Sequence, residues 1–127
     1  MTNVSRAMKA ILKHKATGVT VSVTATTDHP DAHNQAVWVD ESNEAYCIVG
    51  HDHPFYEEVS VDIEDREGLG QYLHFRRVAL GISYRKLAEM SGLTPSTVQN
   101  VENGAFTPRL DIILKMLGVL GKRLTIS

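Results

Sequence analysis

The chain has 127 residues, 43% of them hydrophobic and 22% charged; that suits one domain or two very small ones and excludes wholesale disorder or a coiled coil. Its longest apolar runs, such as Ile112-Ile113-Leu114, are a few residues long, far short of the roughly 20 that a bilayer-spanning helix needs. The net charge of −2 conceals a division: residues 1–67 hold five basic and twelve acidic groups, a balance of −7, and residues 68–127 hold eight basic and three acidic, a balance of +5.

Such asymmetry points to a polyanion partner for the second half and a different role for the first. Lys9, Lys13 and Lys15 interrupt the N-terminal segment, so no continuous apolar stretch reads as a secretory signal. Cys47 stands alone, which excludes an intramolecular disulfide and a multi-cysteine zinc site and suits a reducing cytoplasm.

Val4, Met8, Ile11 and Leu12 recur at the spacing of one helix face, predicting an N-terminal helix that ends near Gly18. Val19, Val21 and Val23 alternate with Thr20, Ser22 and Thr24, the period of a half-buried strand. A polar loop over 27–34 follows. Ala36 to Val39 and Glu44 to Val49 then read as a hairpin around Asp40-Glu41-Ser42-Asn43. Val59, Val61 and Ile63 suggest one more strand. The charged run from Asp62 to Gly68 marks a boundary, so the sequence divides into a small acidic α+β domain over 1–66 and a second domain over 67–127.

From Leu69 the periods become helical. Leu69, Tyr72, Leu73 and Leu80 give an apolar face ended by Gly81. Ser83 is placed to cap a helix from Tyr84 to Met90, and Gly92 supplies the turn that follows. Thr94 caps a third helix with Pro95 at its first position, and Asn103-Gly104 closes it. Thr107-Pro108 repeats the device for a fourth, Arg109 to Gly118. Lys122 to Ser127 reads as a short terminal strand, paired either with its symmetry mate or with its own domain. The expected architecture is α+β: a small N-terminal helix with antiparallel strands, then four to five helices and a short C-terminal strand.

Within Gly81 to Gly104, two short helices joined by a tight turn must cross steeply. Ala88 is small where they cross, and Leu87, Leu93, Val98 and Val101 are spaced to lock the pair onto one core. The free face of the third helix carries Ser96, Thr97, Gln99 and Asn100, side chains of the kind that read base edges in a major groove. The stretch LAEMSGLTPSTVQNVENG, with Pro108 and the Leu110, Ile113, Leu117 series after it, resembles the lambda-repressor-like (Xre-type) helix-turn-helix family over the last 60 or so residues, departing from it at the first position of the motif. In such proteins the second helix of the pair lies in the major groove and the first crosses the backbone.

The resemblance implies that Thr94, Pro95, Ser96, Gln99 and Asn100 face bases and adjacent phosphates. It places Thr97 and Asn103 at phosphates, Arg109 at the backbone or minor groove, and Arg85 and Lys86 at phosphates. Glu102 is expected to be a structural partner within the fold, since a carboxylate facing phosphate would be repelled. The sequence departs from the family at Tyr84, where a glutamine amide commonly helps bind phosphate, and at Pro95, which offers only apolar contact such as to a thymine methyl. Relatives usually dimerise to read two half-sites. The implied function is a cytoplasmic, dimeric transcriptional repressor. The alternative is an antitoxin whose residues 1–67 bind a basic toxin.

Six histidines raise a metal hypothesis, with Cys47, His51 and His53 joined by His29 and His33. Closed zinc sites show tighter paired spacing, so surface histidines and a buried cysteine are expected, with no metal and no cofactor. There is no phosphate-cradling glycine loop, nucleophile elbow or His-Glu-x-x-His. The sequence therefore reads as non-enzymatic.

Overall fold

The structure, a computed structural model, describes residues 8–125. Five strands form one antiparallel sheet: β1 Lys9–His14, β2 Thr20–Thr26, β3 Val37–Val39, β4 Ala45–Ile48 and β5 Tyr56–Asp62, in the order β4-β3-β2-β1-β5. Four helices follow: α1 Arg66–Ala79, α2 Tyr84–Ser91, α3 Pro95–Glu102 and α4 Leu110–Leu120. The molecule is α+β, as its sequence patterns imply, with the strands first and the helices after.

The expected N-terminal helix is instead the interior strand β1. It pairs with β2 on one side and β5 on the other. The segment satisfies two periods at once. Met8, Ile11 and Leu12 fit a helix face, while Ala10 and Leu12 alternate with Lys9, Ile11 and Lys13 as a strand requires. The second pattern governs because the neighbours on both sides satisfy the backbone: Leu12 is 0% exposed whereas Ile11 is 36% exposed. Val4 lies outside the described residues.

The remaining strands follow their patterns more closely. The hairpin forms as β3 and β4, with Val39 opposite Ala45, and Asp40 Oδ1 accepts from the Ser42 and Glu44 amides in its turn. In β5 the alternation is broken by a bulge. Ile11 faces Ser60 and Leu12 faces Glu58, leaving Val59 as the extra residue. Glu58 and Val61, three apart, therefore share the inner face, and Val59 is turned outward.

The inner face of the sheet (Leu12, Val23, Trp38, Val49) packs against Tyr72 and Phe75 of α1. The adjoining face of α1 contributes Leu73 and Leu69 to a second core with Leu87, Ala88, Val98, Val101, Met116 and Leu120. α1 thus packs on both cores. It starts at an Asp65 cap whose Oδ1 accepts from the Gly68 amide at 2.7 Å.

Two further expectations are corrected. Helix α4 is capped by Arg109, with no side-chain cap bond, and not by Thr107. It also runs through Gly118 to a left-handed Gly121. Lys122 to Thr125 form no strand; Ile126 and Ser127 lie outside the described residues. No helix among the described residues is long and apolar enough to cross a membrane.

Candidate nucleic-acid interface

Each helix of the α2–α3 pair starts on its own capping hydroxyl. Ser83 Oγ accepts from the Lys86 amide at 3.0 Å. Thr94 Oγ1 accepts from the Thr97 amide at 3.2 Å and lies 2.9 Å from Thr97 Oγ1. Pro95 sits at the first turn of α3, where its missing N–H costs no bond. Between the helices Gly92 holds the left-handed turn at φ 71°, a conformation any other residue would adopt with strain. Leu87, Ala88, Val98 and Val101 are all buried and Leu93 is half-buried, so the apolar side of both helices is committed to the core.

What remains outward is polar. Ser96, Gln99, Asn100 and Asn103 are exposed, and Thr97 is half-buried behind its cap bond. Asn103 is the C-cap of α3. Tyr84 packs partly on the helical core, with the Arg85 guanidinium 5.4 Å from its ring centroid. Lys86 is bonded to Glu89 at 2.8 Å, and Arg109 forms a two-pronged pair with Asp111 at 3.1 and 2.9 Å. These partners push the Lys86 and Arg109 pKa values up by hydrogen bonding and by charge. Both cations lie on the surface, where such pairs exchange readily for a phosphate.

The position of α3 is set from beneath by a residue the sequence reading missed. Arg77 of α1 donates from Nε to Glu102 Oε2 at 2.7 Å and from NH2 to Oε1 at 2.9 Å, and from NH1 to the Ile82 carbonyl at 2.8 Å. His74 Nδ1 lies 2.9 Å from the same Oε1. Burial pushes the Glu102 carboxyl up, but the hydrogen bonds from His74 and Arg77 and the arginine charge outweigh it and hold the group below the usual range. Glu102 is thus an internal partner, as expected from its chemistry. No local pattern marks Arg77, because the pair spans 25 positions in sequence.

Three histidines of the sheet half are engaged locally. His29 Nδ1 caps the short 3₁₀ turn at Pro30–Ala32. His51 Nε2 meets Gln35 Oε1 at 2.8 Å, and His53 Nδ1 accepts from the Phe55 amide at 3.0 Å. Among the described residues no three His, Cys, Asp or Glu side chains are grouped to hold a metal ion. Cys47 is buried, and burial together with the Glu58 charge pushes its thiol up to about 12.

A tight-turn helix pair with a capped, polar outer helix defines a helix-turn-helix protein of the DNA-binding regulator class. Residues 73–126 match the helix-turn-helix family. An HTH-type transcriptional regulator of Haemophilus influenzae is 36% identical over 72 residues, which are 57% of this chain and 74% of that protein. The chain belongs to the Xre, or lambda-repressor-like, helix-turn-helix family. Among solved structures, the clp gene regulator ClgR from Corynebacterium glutamicum is 30% identical with a TM-score of 0.44; the match spans 45% of this chain and 61% of that one.

Proposed function

We propose that the protein is a sequence-specific transcriptional regulator, a dimeric repressor that inserts helix α3 in the major groove. The observation that carries this reading is the exposed Ser96, Gln99 and Asn100 face on a helix whose opposite side is buried and pinned to α1 through Glu102. In this reading Ser96, Gln99 and Asn100 read base edges, and Pro95 gives an apolar contact. Tyr84, Arg85, Lys86, Thr94, Thr97, Asn103 and Arg109 hold phosphates. Residues 1–66 form an acidic half of the same chain, ahead of the helix-turn-helix.

For the dimer, Leu110 at 58% and Leu114 at 48% exposure form an apolar stripe on α4. Gly118, with open space where a Cβ would stand, continues it one turn on. A second copy laid along this stripe removes the leucines from water and places two α3 helices for two half-sites.

A second reading, an antitoxin, rests on the −7 balance of residues 1–67, which suits a basic protein partner. Co-purification of a co-encoded small basic protein tests it.

The primary test is binding of the purified chain to its own upstream DNA and to random DNA across a salt series. A cognate preference of orders of magnitude with a steep salt slope supports a specific regulator. Equal binding at every salt concentration refutes it.

A further inference from the structure

Two buried charged side chains lie away from the α3 face, at the seam between sheet and helices. Glu58 of β5 has a side chain only 3% exposed. Its Oε2 accepts from Trp38 Nε1 at 2.7 Å and from the Gly50 amide at 2.8 Å. Its Oε1 accepts from the Tyr72 hydroxyl at 2.6 Å and from Lys122 Nζ at 3.4 Å. Arg76 of α1, 6% exposed, donates from Nε to the Leu120 carbonyl at the end of α4, at 2.8 Å. Its NH1 donates to the Gly50 carbonyl at 2.8 Å and to Asp52 Oδ1 at 3.2 Å.

Gly50 joins the two systems, since its amide serves Glu58 and its carbonyl serves Arg76. One connected polar network therefore runs from β3 through β5 and the following α1 to the end of α4. Among the described residues no buried side-chain polar atom is left without a partner. Interfaces between independently moving domains are polar and wet. This seam instead buries Trp38 and Tyr72 around a carboxylate with four donors and a guanidinium with three acceptors. Buried charges of this kind are costly unless every partner is in place, so neither half retains its satisfied state once the other departs.

We infer that Glu58 and Arg76 are positioning residues that bind the sheet and the helix-turn-helix into one cooperative unit, so that the state of the sheet sets the placement of α1 and α4, against which α3 is held. The folding part of this inference is independent of the proposed function; its consequence for DNA affinity rests on that reading.

Trp38 is the single tryptophan and lies inside the sheet, while the far-UV helical signal comes from α1–α4, so two probes report the two halves of the full-length chain. In urea the wild-type transitions are expected to coincide. In Arg76→Met, and in the near-isosteric Glu58→Gln should the first fail to fold, the Trp38 transition is expected to move to lower urea than the helical one. Separate transitions in the wild type, or coincident ones in a folded variant, overturn the inference. At urea concentrations where the variant keeps its full helical signal, its affinity for cognate DNA is expected to fall about two- to thirtyfold. Unchanged affinity with split transitions overturns the link from sheet to α3. Absence of any DNA binding by the wild type refutes the proposed function and leaves the unfolding result standing.

Discussion

Asn100 and Arg109 are both exposed polar residues of the helical half, yet they are expected to act on DNA in different ways. In the proposed reading the Asn100 amide on the outer face of α3 reads one base pair, so its removal is expected to cost about 1–3 kcal/mol against the preferred base while leaving random DNA unaffected. Fluorescence anisotropy on single-base operator variants checks this. Equal losses for cognate and random DNA contradict the assignment. Arg109 carries only a charge and a surface pair with Asp111, so Arg109→Ala is expected to weaken all sequences alike and to lower the salt slope by about one. Glu102 acts differently again, through the fold. Replacing it by alanine leaves the largely buried Arg77 without its carboxylate and is expected to cost about 3–5 kcal/mol in urea unfolding at neutral pH. The folded-state pKa of Glu102 lies below its ordinary 4.5. The stabilisation is therefore complete above that value and fades as pH falls through the lower folded value. The gap between wild type and Glu102→Ala is expected to narrow as pH drops below 4.5, and a gap that stays constant rules out the ion pair as its source. The candidate α3 face was legible in the sequence because capping residues, the turn glycine and polar side chains lie within one local stretch. Arg77 and Arg76 were not. Their partners are 25 and 44 positions away, and a lone arginine in a helix usually faces solvent.

At the scale of elements, the same contrast between local and non-local signals separates success from error. Helices α2 and α3 announce themselves by Ser83, Gly92, Thr94 and Pro95, each acting within four residues. Strand β1 is decided by β2, the next strand in the chain, and by β5, which comes last of the five; an alternation coexisting with a helical period could not reveal the second pairing. The bulge at Val59 is equally non-local, since only the pairing to β1 shows why Glu58 and Val61 share a face. Leu110 illustrates the opposite error. It belongs to an apolar series, yet it is 58% exposed, whereas Ile113 and Leu117 of the same series pack on the helical core. One element-level contact is expected to be intolerant of change. A Cβ on Gly70 of α1 would overlap the Val101 carbonyl oxygen and stand 2.6 Å from that of Glu102, both backbone atoms of α3. Gly70→Ala must separate the helices and is expected to destabilise the fold by about 1–3 kcal/mol or more. Thermal unfolding measures this, and a neutral or raised midpoint refutes so close an approach of α1 and α3.

At the scale of the whole molecule, the charge division and the α4 stripe bear on assembly together. A single α3 helix covers few base pairs, and specific recognition at the usual affinity calls for two half-sites about 34–36 Å apart. The stripe of Leu110, Leu114 and Gly118 lies on the last helix of the domain, and in the proposed dimer it is the surface two copies would share about one symmetry axis. The acidic first half opposes indiscriminate attraction to DNA, because its field repels phosphate wherever the basic half is not already seated. A Leu114→Glu substitution places a charge at the centre of the stripe without touching the buried Met116, Leu117 or Leu120. The variant is expected to keep the wild-type helical signal and to sediment as a monomer where the wild type sediments as a dimer. It is also expected to bind a DNA with two half-sites no more tightly than one with a single half-site. A variant that still sediments as a dimer excludes α4 as the contact. A wild type that is monomeric at the concentrations where it binds operator excludes preassembly, and leaves cooperative pairing on the DNA as the route to two half-sites.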